Sequence, residues 1–367
     1  MNNELKIVIA GGGTGGHLFP GIALAEYLEK NWRARILFIG ASYGIENKIL
    51  PEMSFEFKKT PMRGLQRKLS FTNLLFPFRL FISLVQCAII FLREKPNIVV
   101  GTGGYVSAPP LMIAILFGIP TLIQEQNSYP GLVNRLLAKH ITEMHISFEA
   151  SRKHFKKQSN LRLSGNPVRQ SSAKTEKVSS LKNFKLLEDK ITAIVFGGSQ
   201  GAARINKALL SVIQKIDSSG KLQILWATGS SQFTEISRAM KQYEFVQCHA
   251  FINDMTAAYA CADFAICRSG ATTLAELALA GLPSILIPYP YSAEGHQEKN
   301  ALSVYSAGAA CIIPENELSK EKLLFEINKL TNSADLRMSM SNASKNLAKP
   351  EATKTIAESI VRLSGLT

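Results

Sequence analysis

Twice in this chain, an apolar strand leads directly into a glycine-rich turn that opens a helix. The first copy, KIVIAGGGTGG, starts at Lys6, and the second, TAIVFGGSQGA, starts at Thr192. Such a unit is typical of the start of a doubly wound α/β domain, where glycines permit a tight turn and a close approach to the helix N-terminus. Two copies in 367 residues predict two similar domains in tandem, because one domain usually takes roughly 100–200 residues.

Short apolar runs bounded by glycine alternate with longer helical patterns, which predicts βαβ units, mostly parallel sheets and an α/β fold class. The expected strands are residues 6–10, 35–40, 98–101, 120–124, 192–196, 223–228, 264–267 and 284–287. A lysine- and serine-rich stretch at 169–190 indicates a linker. We therefore expect domains at 1–168 and 169–348, followed by a helix within 349–367 that packs back on the first domain. Ligands of such sheets bind at the carboxyl ends of the strands, so two facing domains would enclose a cleft.

The formal net charge of +14 is concentrated in the first half, with +10 in residues 1–168 and +4 in the remainder. This predicts an anionic partner for that half, whether nucleic acid, a phosphorylated ligand or an acidic membrane face. The five cysteines form no C-x-x-C pair, which favours a reducing cytoplasm, and the first residues do not resemble a signal peptide. Because the sequence has no Asp-x-Asp and no His/Cys cluster with metal-ligand spacing, we expect no metal ion and no cofactor.

The first glycine turn, residues 11–16, satisfies G-x-G-x-x-G, although a tight turn without any ligand fits the same letters. A nicotinamide-binding domain would place an acidic residue roughly 20 positions later, but there the second strand runs into Ala41 and Ser42. A P-loop would need a lysine that this turn lacks. The pattern therefore disfavours both a dinucleotide and hydrolysis of ATP or GTP.

Two side chains near this turn are candidate general bases. His17 directly follows the glycines, and an imidazole exchanges its proton near neutral pH; a capping or core hydrogen-bonding histidine is the alternative. Glu125, with Asn127, lies in QEQN after the strand at 120–124, where it is expected to bind or deprotonate a hydroxyl. The alternative for both residues is hydrogen bonding within the loop.

The densest chemical signal is CRSGATTLAE at residues 267–276. A strand ends at Arg268 and a helix starts near Thr272, so its N-terminal N–H groups and dipole would face an anion in the crevice. Glu276, one turn into the helix, is expected to accept hydrogen bonds from a ribose diol, although a first-turn acid also simply complements the dipole. Ser199 in the second glycine turn would add a phosphate contact.

Eight Lys and Arg accompany a single Glu between Lys58 and Lys95, interleaved with apolar residues. This predicts binding to an anionic membrane face through charge attraction and partial insertion, with a core helix as the alternative. The residues expected to face the membrane are Leu74, Leu75, Phe76, Phe78, Arg79, Phe81 and Ile82. Pro77, Arg79 and Gln86 interrupt the stretch, so it is not expected to span a bilayer, which takes roughly 20 apolar residues. Nucleic acid is not expected as a partner, because base-stacking aromatics on a basic strand are not evident.

At these residues the chain resembles the MurG family, GT-B-fold glycosyltransferases that move N-acetylglucosamine from its UDP sugar onto the membrane-bound lipid I. The resemblance covers nearly the whole chain and rests on seven motifs: GGGTGGHLFPGIALA, GTGGYVSAPP, EQNSYPGLVN, GNPVR, GGSQGAARIN, FINDMTAAYACAD and CRSGATTLAEL. It implies a GT-B architecture of two Rossmann-like domains and a peripheral position on the cytoplasmic face of the inner membrane. Implied partners are UDP-N-acetylglucosamine, undecaprenyl-linked lipid I and the anionic membrane face.

The resemblance also implies roles for individual residues. A first set would approach the donor sugar or its diphosphate: Thr14, Gly15, Gly16, Asn127, Arg169 and Ser199. In the second domain, the implied contacts are Ile252 with the uracil through its backbone, Ala271, Thr272, Thr273 and Leu274 with the phosphates, Glu276 with the ribose and Gln297 with the sugar hydroxyls. Residues 291–296 match the family less closely than their surroundings do.

One departure from the family pattern is informative. The family often has His-Glu-Gln-Asn where this chain has Gln124 through Asn127, so no catalytic role can be transferred to a histidine there. We therefore expect an inverting transfer in which His17, or else Glu125, removes the acceptor proton and Arg268 and Ser199 help to stabilise the departing UDP. The alternatives are another UDP-sugar enzyme such as an epimerase, and a non-catalytic basic module that binds a membrane or nucleic acid.

Overall fold

The computed structural model describes residues 4–64, 74–156, 159–169, 176–198, 202–217 and 220–365. Two compact units are found: Met1–Gln170 with Lys349–Thr367 form the first, and Ser171–Ala348 form the second. The last segment of the chain thus belongs to the first unit, although it follows the second in sequence.

Within the described residues, the first unit is built on a seven-stranded parallel sheet of order β3-β2-β1-β4-β5-β6-β7. Its strands are β1 (Lys6–Gly11), β2 (Arg35–Ala41), β3 (Glu56–Thr60), β4 (Ile98–Gly103), β5 (Thr121–Glu125), β6 (Glu143–Ile146) and β7 (Leu161–Leu163). The central strands are continuous apolar runs, as expected of a sheet buried on both faces. Ile7 of β1 pairs with Ile36 of β2 on one side and with Ile98 of β4 on the other. The strand order reverses between β1 and β4, and ligands of open α/β sheets bind at such a reversal.

The helices of this unit lie on the two faces of the sheet. They are α1 (Gly15–Trp32), α2 (Glu46–Ile49), α3 (Phe76–Glu94), α4 (Ala108–Leu116) and α5 (Leu132–Leu137), with short 3₁₀ turns at Leu50–Glu52, Tyr105–Ser107 and Glu149–His154. Helix α1 starts at Gly15 because the carbonyl of Thr14 accepts hydrogen bonds from the N–H groups of His17 and Leu18, each at 3.2 Å. This start brings His17 into the first turn of the helix.

The second unit repeats the arrangement with a six-stranded parallel sheet of order β10-β9-β8-β11-β12-β13 in its described residues. Its strands are β8 (Ile191–Phe196), β9 (Leu222–Ala227), β10 (Val246–His249), β11 (Phe264–Cys267), β12 (Ser284–Leu286) and β13 (Ala310–Ile312). The order reverses between β8 and β11, so the carboxyl end of β11 is the expected ligand edge of this sheet. Trp226, fully buried in the core, donates its indole N–H to Asn206 Oδ1 at 3.0 Å.

The described helices of the second unit are α6 (Lys177–Asn183), α7 (Ala203–Leu210), α8 (Ile213–Asp217), α9 (Phe233–Met240), α10 (Met255–Cys261), α11 (Ala271–Ala280), α12 (His296–Ser306), α13 (Lys320–Asn332) and α14 (Ala334–Leu347), with 3₁₀ turns at Ala293–Gly295 and Glu315–Glu317. The last helix, α15 (Ala352–Leu363), returns to the first unit. There Ile356 and Ile360 are fully buried in the core formed by β1 and α1. Arg362 of this helix binds the carboxylate of Glu143 on β6 at 2.5 Å. Burial alone would raise the pKa of Glu143, but hydrogen bonds with His145, Arg362 and Ser359 lower it to about 2.

The predicted α/β class with two Rossmann-like parallel sheets is confirmed. Each of the eight expected strands is present, with bounds that differ by up to two residues. The prediction omitted β3, β6, β7, β10 and β13, which lie at or next to the sheet edges.

Candidate active site

The turn between β1 and α1 is built around the buried carboxylate of Glu46, the first residue of α2. Its Oε2 accepts a hydrogen bond from the N–H of Gly13 at 2.9 Å, and its Oε1 accepts one from the N–H of Ala41 at 2.8 Å. A Cβ at Gly12 or Gly44 would collide with this carboxylate. The turn is therefore organised by an internal anion, which uses a backbone donor that a bound phosphate would otherwise take.

His17 lies beside the turn that follows β4, at the reversal point of the sheet. Its ring is partly exposed, and its Nδ1 lies 3.2 Å from Oε1 of Gln126. A Cβ at Gly103 would lie 2.6 Å from His17 Nδ1, so the GTGGY turn needs glycine for the imidazole to fit. Thr14 and Gly16 are exposed beside it. The structure therefore brings His17 and the exposed end of the glycine turn together at the ligand edge of β1 and β4.

The carboxylate of Glu125 is only 1% exposed, and its four hydrogen bonds hold the following loop. Oε1 accepts from the backbone N–H of Asn127 at 2.9 Å and from its Nδ2 at 3.3 Å. Oε2 accepts from the N–H of Gly131 at 3.0 Å and from Asn134 Nδ2 at 2.7 Å. A general base needs a free lone pair within reach of the substrate proton. The prediction of Glu125 as a base is therefore disfavoured, and Glu125 is better explained as the residue that positions Asn127.

Arg169 lies in the first unit and forms a two-point ion pair with Glu26 of α1. Its Nε is 3.0 Å from Glu26 Oε2 and its Nη2 is 2.5 Å from Oε1. Both side chains are more than one-third exposed, so water weakens the pair. A contact of Arg169 with the donor diphosphate stays a prediction, and it would require this pair to open.

In the second unit, helix α11 starts at the carboxyl end of β11, as the sequence predicts. Its N-cap is Gly270, which offers no side-chain acceptor, so the helix end keeps the positive electrostatic character that favours an anion. Ala271 to Leu274 form its first turn. Glu276 is partly exposed, and its Oε2 accepts a hydrogen bond from the hydroxyl of Tyr259 at 2.9 Å. Desolvation raises the pKa of the Glu276 carboxyl, while the Tyr259 bond opposes that shift.

Arg268 is already engaged by protein groups. Its guanidinium donates to the carbonyl of Ile287 at 3.0 Å and to that of Pro288 at 3.2 Å, and it pairs with the carboxylate of Glu315. It also stacks over the ring of Tyr289, with 5.4 Å between the guanidinium carbon and the ring centroid. Arg268 therefore holds the loop after β12 in place, and the predicted contact with a leaving diphosphate would need Glu315 to be displaced.

Gln297 lies in the first turn of α12 and Ile252 precedes α10, both in the second unit. The carbonyl of Gln297 accepts from the hydroxyl of the fully buried Ser269 at 2.7 Å, and its Oε1 accepts from the N–H of Tyr289 at 2.9 Å. Gln297 is thereby fastened next to the start of α11. Ile252 is buried in the loop between β10 and α10. Ser199 lies outside the described residues.

Helix α3 presents an apolar face to solvent. Phe78, Phe81 and Leu92 are 72%, 66% and 65% exposed, and the same face carries Ile82, Val85 and Ile89. The opposite stripe, which includes Cys87 and Phe91, is buried in the first unit's core. The alternative prediction, that this segment is a core helix, therefore holds only for the buried stripe. Leu74 and Leu75 extend the exposed face, whereas Phe76 and Arg79 are only partly exposed.

By length and composition alone, the same helix is long and apolar enough to cross a membrane. The expectation that Pro77, Arg79 and Gln86 interrupt this stretch was wrong, because the helix is continuous and Pro77 lies in its first turn, where a helix does not need the N–H of that residue. The buried stripe nevertheless ties α3 to the fold. An exposed apolar patch of this kind on a packed helix is typical of binding at a membrane surface or to a partner.

Several residues of this site were not singled out by sequence reasoning. Glu46, Gln126, Tyr259 and Ser269 each fix a candidate residue or a glycine turn through a hydrogen bond. The sequence signal for Gln126 and Ser269 is their position next to candidate residues, in QEQN and CRSG respectively. Among the residues described, no group of three or more His, Cys, Asp or Glu side chains is arranged to hold a metal ion.

Each of the two units matches the model of a known protein family. Residues 7–146 match the glycosyltransferase family 28 N-terminal domain, and residues 192–356 match the glycosyltransferase family 28 C-terminal domain. Each match begins within or next to the first strand of its unit, β1 or β8.

Curated relatives match along nearly their full length. A protein of Desulforamulus reducens is 38% identical over 98% of this chain and 99% of its own, and one of Chlorobaculum tepidum is 40% identical over 98% and 100%. Both are named UDP-N-acetylglucosamine–N-acetylmuramyl-(pentapeptide) pyrophosphoryl-undecaprenol N-acetylglucosamine transferase. The crystal structure of Acinetobacter baumannii MurG superposes with a TM-score of 0.79 at 26% identity, covering 97% of this chain and 99% of that one. A putative UDP-N-acetylglucosamine 2-epimerase from Listeria monocytogenes shares the fold, with a TM-score of 0.70, 12% identity and coverage of 98% and 96%.

Proposed function

The chain belongs to the MurG family of family 28 glycosyltransferases, and we propose that it transfers N-acetylglucosamine from UDP-N-acetylglucosamine to lipid I, giving lipid II for peptidoglycan synthesis. The observation that carries this proposal is the full-length identity of 38% and 40% to relatives with that name. The epimerase alternative rests on the shared fold alone, since the identity to proteins with that name is 12–13%.

The proposed reaction is a direct displacement with inversion. The acceptor hydroxyl oxygen forms a bond to the anomeric carbon of N-acetylglucosamine while the bond from that carbon to the diphosphate oxygen breaks, and UDP leaves with the bonding electron pair. The hydroxyl proton passes to Nε2 of His17 as the general base. His17 is preferred over Glu125 because its ring is partly exposed, whereas every oxygen of the Glu125 carboxylate accepts hydrogen bonds from the loop.

The donor is assigned to the second unit. The N-terminus of α11 would stabilise the negative charge that develops on the departing diphosphate, with Ala271 to Leu274 supplying the first turn. Glu276 would accept from the ribose hydroxyls, and Gln297 would meet the hydroxyls of the sugar. The first unit would hold the acceptor, because its basic excess and the apolar face of α3 suit a lipid-linked substrate at an anionic membrane surface.

The transferase proposal is tested by following UDP release from purified protein. We expect release with UDP-N-acetylglucosamine only when a lipid I analogue is also supplied, together with a β-linked disaccharide product. Release or epimerisation of the donor without acceptor would instead identify another UDP-sugar enzyme. Binding to anionic vesicles without any turnover would identify a non-catalytic module.

Glu276→Ala is expected to raise KM for UDP-N-acetylglucosamine by about 10- to 100-fold, with a smaller effect on kcat. A hydrogen bond to a carboxylate contributes about 1.5–3 kcal/mol, and the ribose bond is present in both ground and transition states. Since burial raises the pKa of this carboxyl, KM of the wild type should also rise on acidification as Glu276 becomes protonated. Steady-state kinetics measure both effects.

Glu235 provides a matched control for this substitution, because it is an exposed acid on α9 of the same unit. Glu235→Ala should leave KM unchanged. A KM for Glu276→Ala within twofold of wild type would remove Glu276 from the donor site and leave it as a partner of Tyr259 alone.

A further inference from the structure

The side-chain amide of Gln126 has only one orientation that satisfies its surroundings. Its Nε2 lies 2.6 Å from the backbone carbonyl of Thr102 and 2.5 Å from Oε1 of Gln124. A backbone carbonyl can only accept a hydrogen bond, so the NH₂ end must face Thr102. The opposite end of the amide, Oε1, is then the atom that lies 3.2 Å from Nδ1 of His17.

This orientation is secured by a second layer of hydrogen bonds. Gln126 is 1% exposed and Gln124 is fully buried. Nε2 of Gln124 donates to the hydroxyl of Ser147 at 3.0 Å and to Oδ1 of Asn166 at 3.2 Å, which leaves its Oε1 to accept from Gln126. Reversal of the Gln126 amide would place its Oε1 against two acceptors, the carbonyl of Thr102 and Oε1 of Gln124, and would leave both without a donor in a buried position.

An amide oxygen facing His17 determines where a neutral imidazole carries its proton. Oε1 of Gln126 accepts hydrogen bonds and cannot donate them, so Nδ1 of His17 must be the protonated nitrogen. A neutral imidazole has one N–H and one free lone pair, and the lone pair is then on Nε2. The Gly103 backbone lies close to this ring, since a Cβ at Gly103 would come within 2.6 Å of Nδ1.

We propose that Gln126 is a positioning residue that holds His17 in the Nδ1–H tautomer, so that Nε2 is ready to accept the proton of the acceptor hydroxyl. The inference rests on the proposed function, in which His17 is the base. It parallels the general logic of catalytic histidines, whose second nitrogen is fixed by a hydrogen-bond acceptor, but here the acceptor is a neutral amide instead of a carboxylate. Gln126 acts only through His17 and does not contact the substrate.

The kinetic test replaces Gln126 by methionine, which has similar length and no hydrogen-bonding amide. We expect kcat to fall roughly 10- to 100-fold, the range for loss of one hydrogen bond to a catalytic base, with KM for both substrates within about threefold. In a His17→Ala background, Gln126→Met should cause no further loss, because a residue that works through His17 has nothing left to position. Gln223→Met is the matched control, since it removes a buried glutamine amide in the second unit, where the amide bonds Leu187 and Thr192 and does not contact His17.

The direct test observes the tautomer in the full-length wild-type chain. The protein contains six histidines; with ¹⁵N-labelled histidine, a His17→Asn variant identifies the His17 signals. We expect neutral His17 to show a protonated Nδ1 and an unprotonated Nε2, and Gln126→Met to shift the balance toward Nε2–H. A proton on Nε2 in the wild type, or an additional loss of activity from Gln126→Met without His17, would overturn the inference. Because the spectrum needs no turnover, failure of the proposed reaction is distinguished from failure of this inference.

Discussion

Replacing His17 by alanine is expected to lower kcat by about 10²- to 10⁴-fold, the range for removal of a general base. Without a base, the acceptor hydroxyl keeps its proton as it attacks and is a weaker nucleophile. The other candidate base, Glu125, is buried and both of its carboxylate oxygens accept hydrogen bonds. KM for UDP-N-acetylglucosamine should change little, because the donor is assigned to the other unit. UDP release with a lipid I analogue, measured under donor saturation, gives kcat directly.

His140 serves as the control for this substitution, as an exposed histidine of the same unit away from the turn. His140→Ala should keep wild-type kcat, and the melting temperature of His17→Ala should stay close to that of wild type, since the ring is only partly buried. Glu125→Gln is expected to act differently, lowering the melting temperature because it replaces an acceptor oxygen in a buried four-bond cluster with a donor. Full turnover by His17→Ala would exclude His17 as the base. The role would then return to Glu125, and one of its hydrogen bonds to the loop would have to open.

The central part of each sheet could be predicted from sequence because its strands are continuous apolar runs ended by glycine. The edge strands carry a weaker signal: β3 reads EFKKT and β10 reads VQCH, and neither shows a run of buried residues. Their pairing depends on a neighbour that is already in place, a tertiary effect that local patterns do not encode. Helix α1 begins at the first glycine turn, as expected from the strand-turn-helix pattern, and contains Pro20 in its second turn.

The candidate site was predictable where a motif marks a strand end, as for His17 and the start of α11. Sequence alone could not tell that the charge of Arg268 is already paired with Glu315, because the two residues are 47 positions apart. It also could not reveal that Glu46 fills the first glycine turn from 33 positions away. The sequence shows which charged residues lie near a glycine turn, but it does not show their distances in space. The fold determines which of them form ion pairs with each other and which are available to a substrate.

Replacing Phe78 and Phe81 together by glutamate is expected to reduce binding to anionic vesicles by about 10²- to 10⁴-fold. Each phenylalanine is more than 60% exposed, and burial of such a side chain in the membrane interface contributes about 1.5–3 kcal/mol; two glutamates also repel the anionic surface. The folded state should be unaffected, since neither ring belongs to the core. Co-sedimentation with vesicles of anionic and neutral lipids measures the partition coefficient.

Phe325 is the matched control for these rings, as a 63% exposed phenylalanine on α13 of the second unit. Phe325→Glu should bind vesicles like wild type, because the membrane contact is assigned to the first unit. With a water-soluble acceptor analogue the double variant should keep wild-type kcat, whereas with lipid I in vesicles its rate should fall in proportion to the bound fraction. Equal vesicle binding by the double variant and wild type would mean that the exposed face of α3 meets a protein partner. A loss of turnover with the soluble acceptor would show that α3 influences the turn after β4 beside His17, where Phe76 makes an edge-on contact with Tyr105.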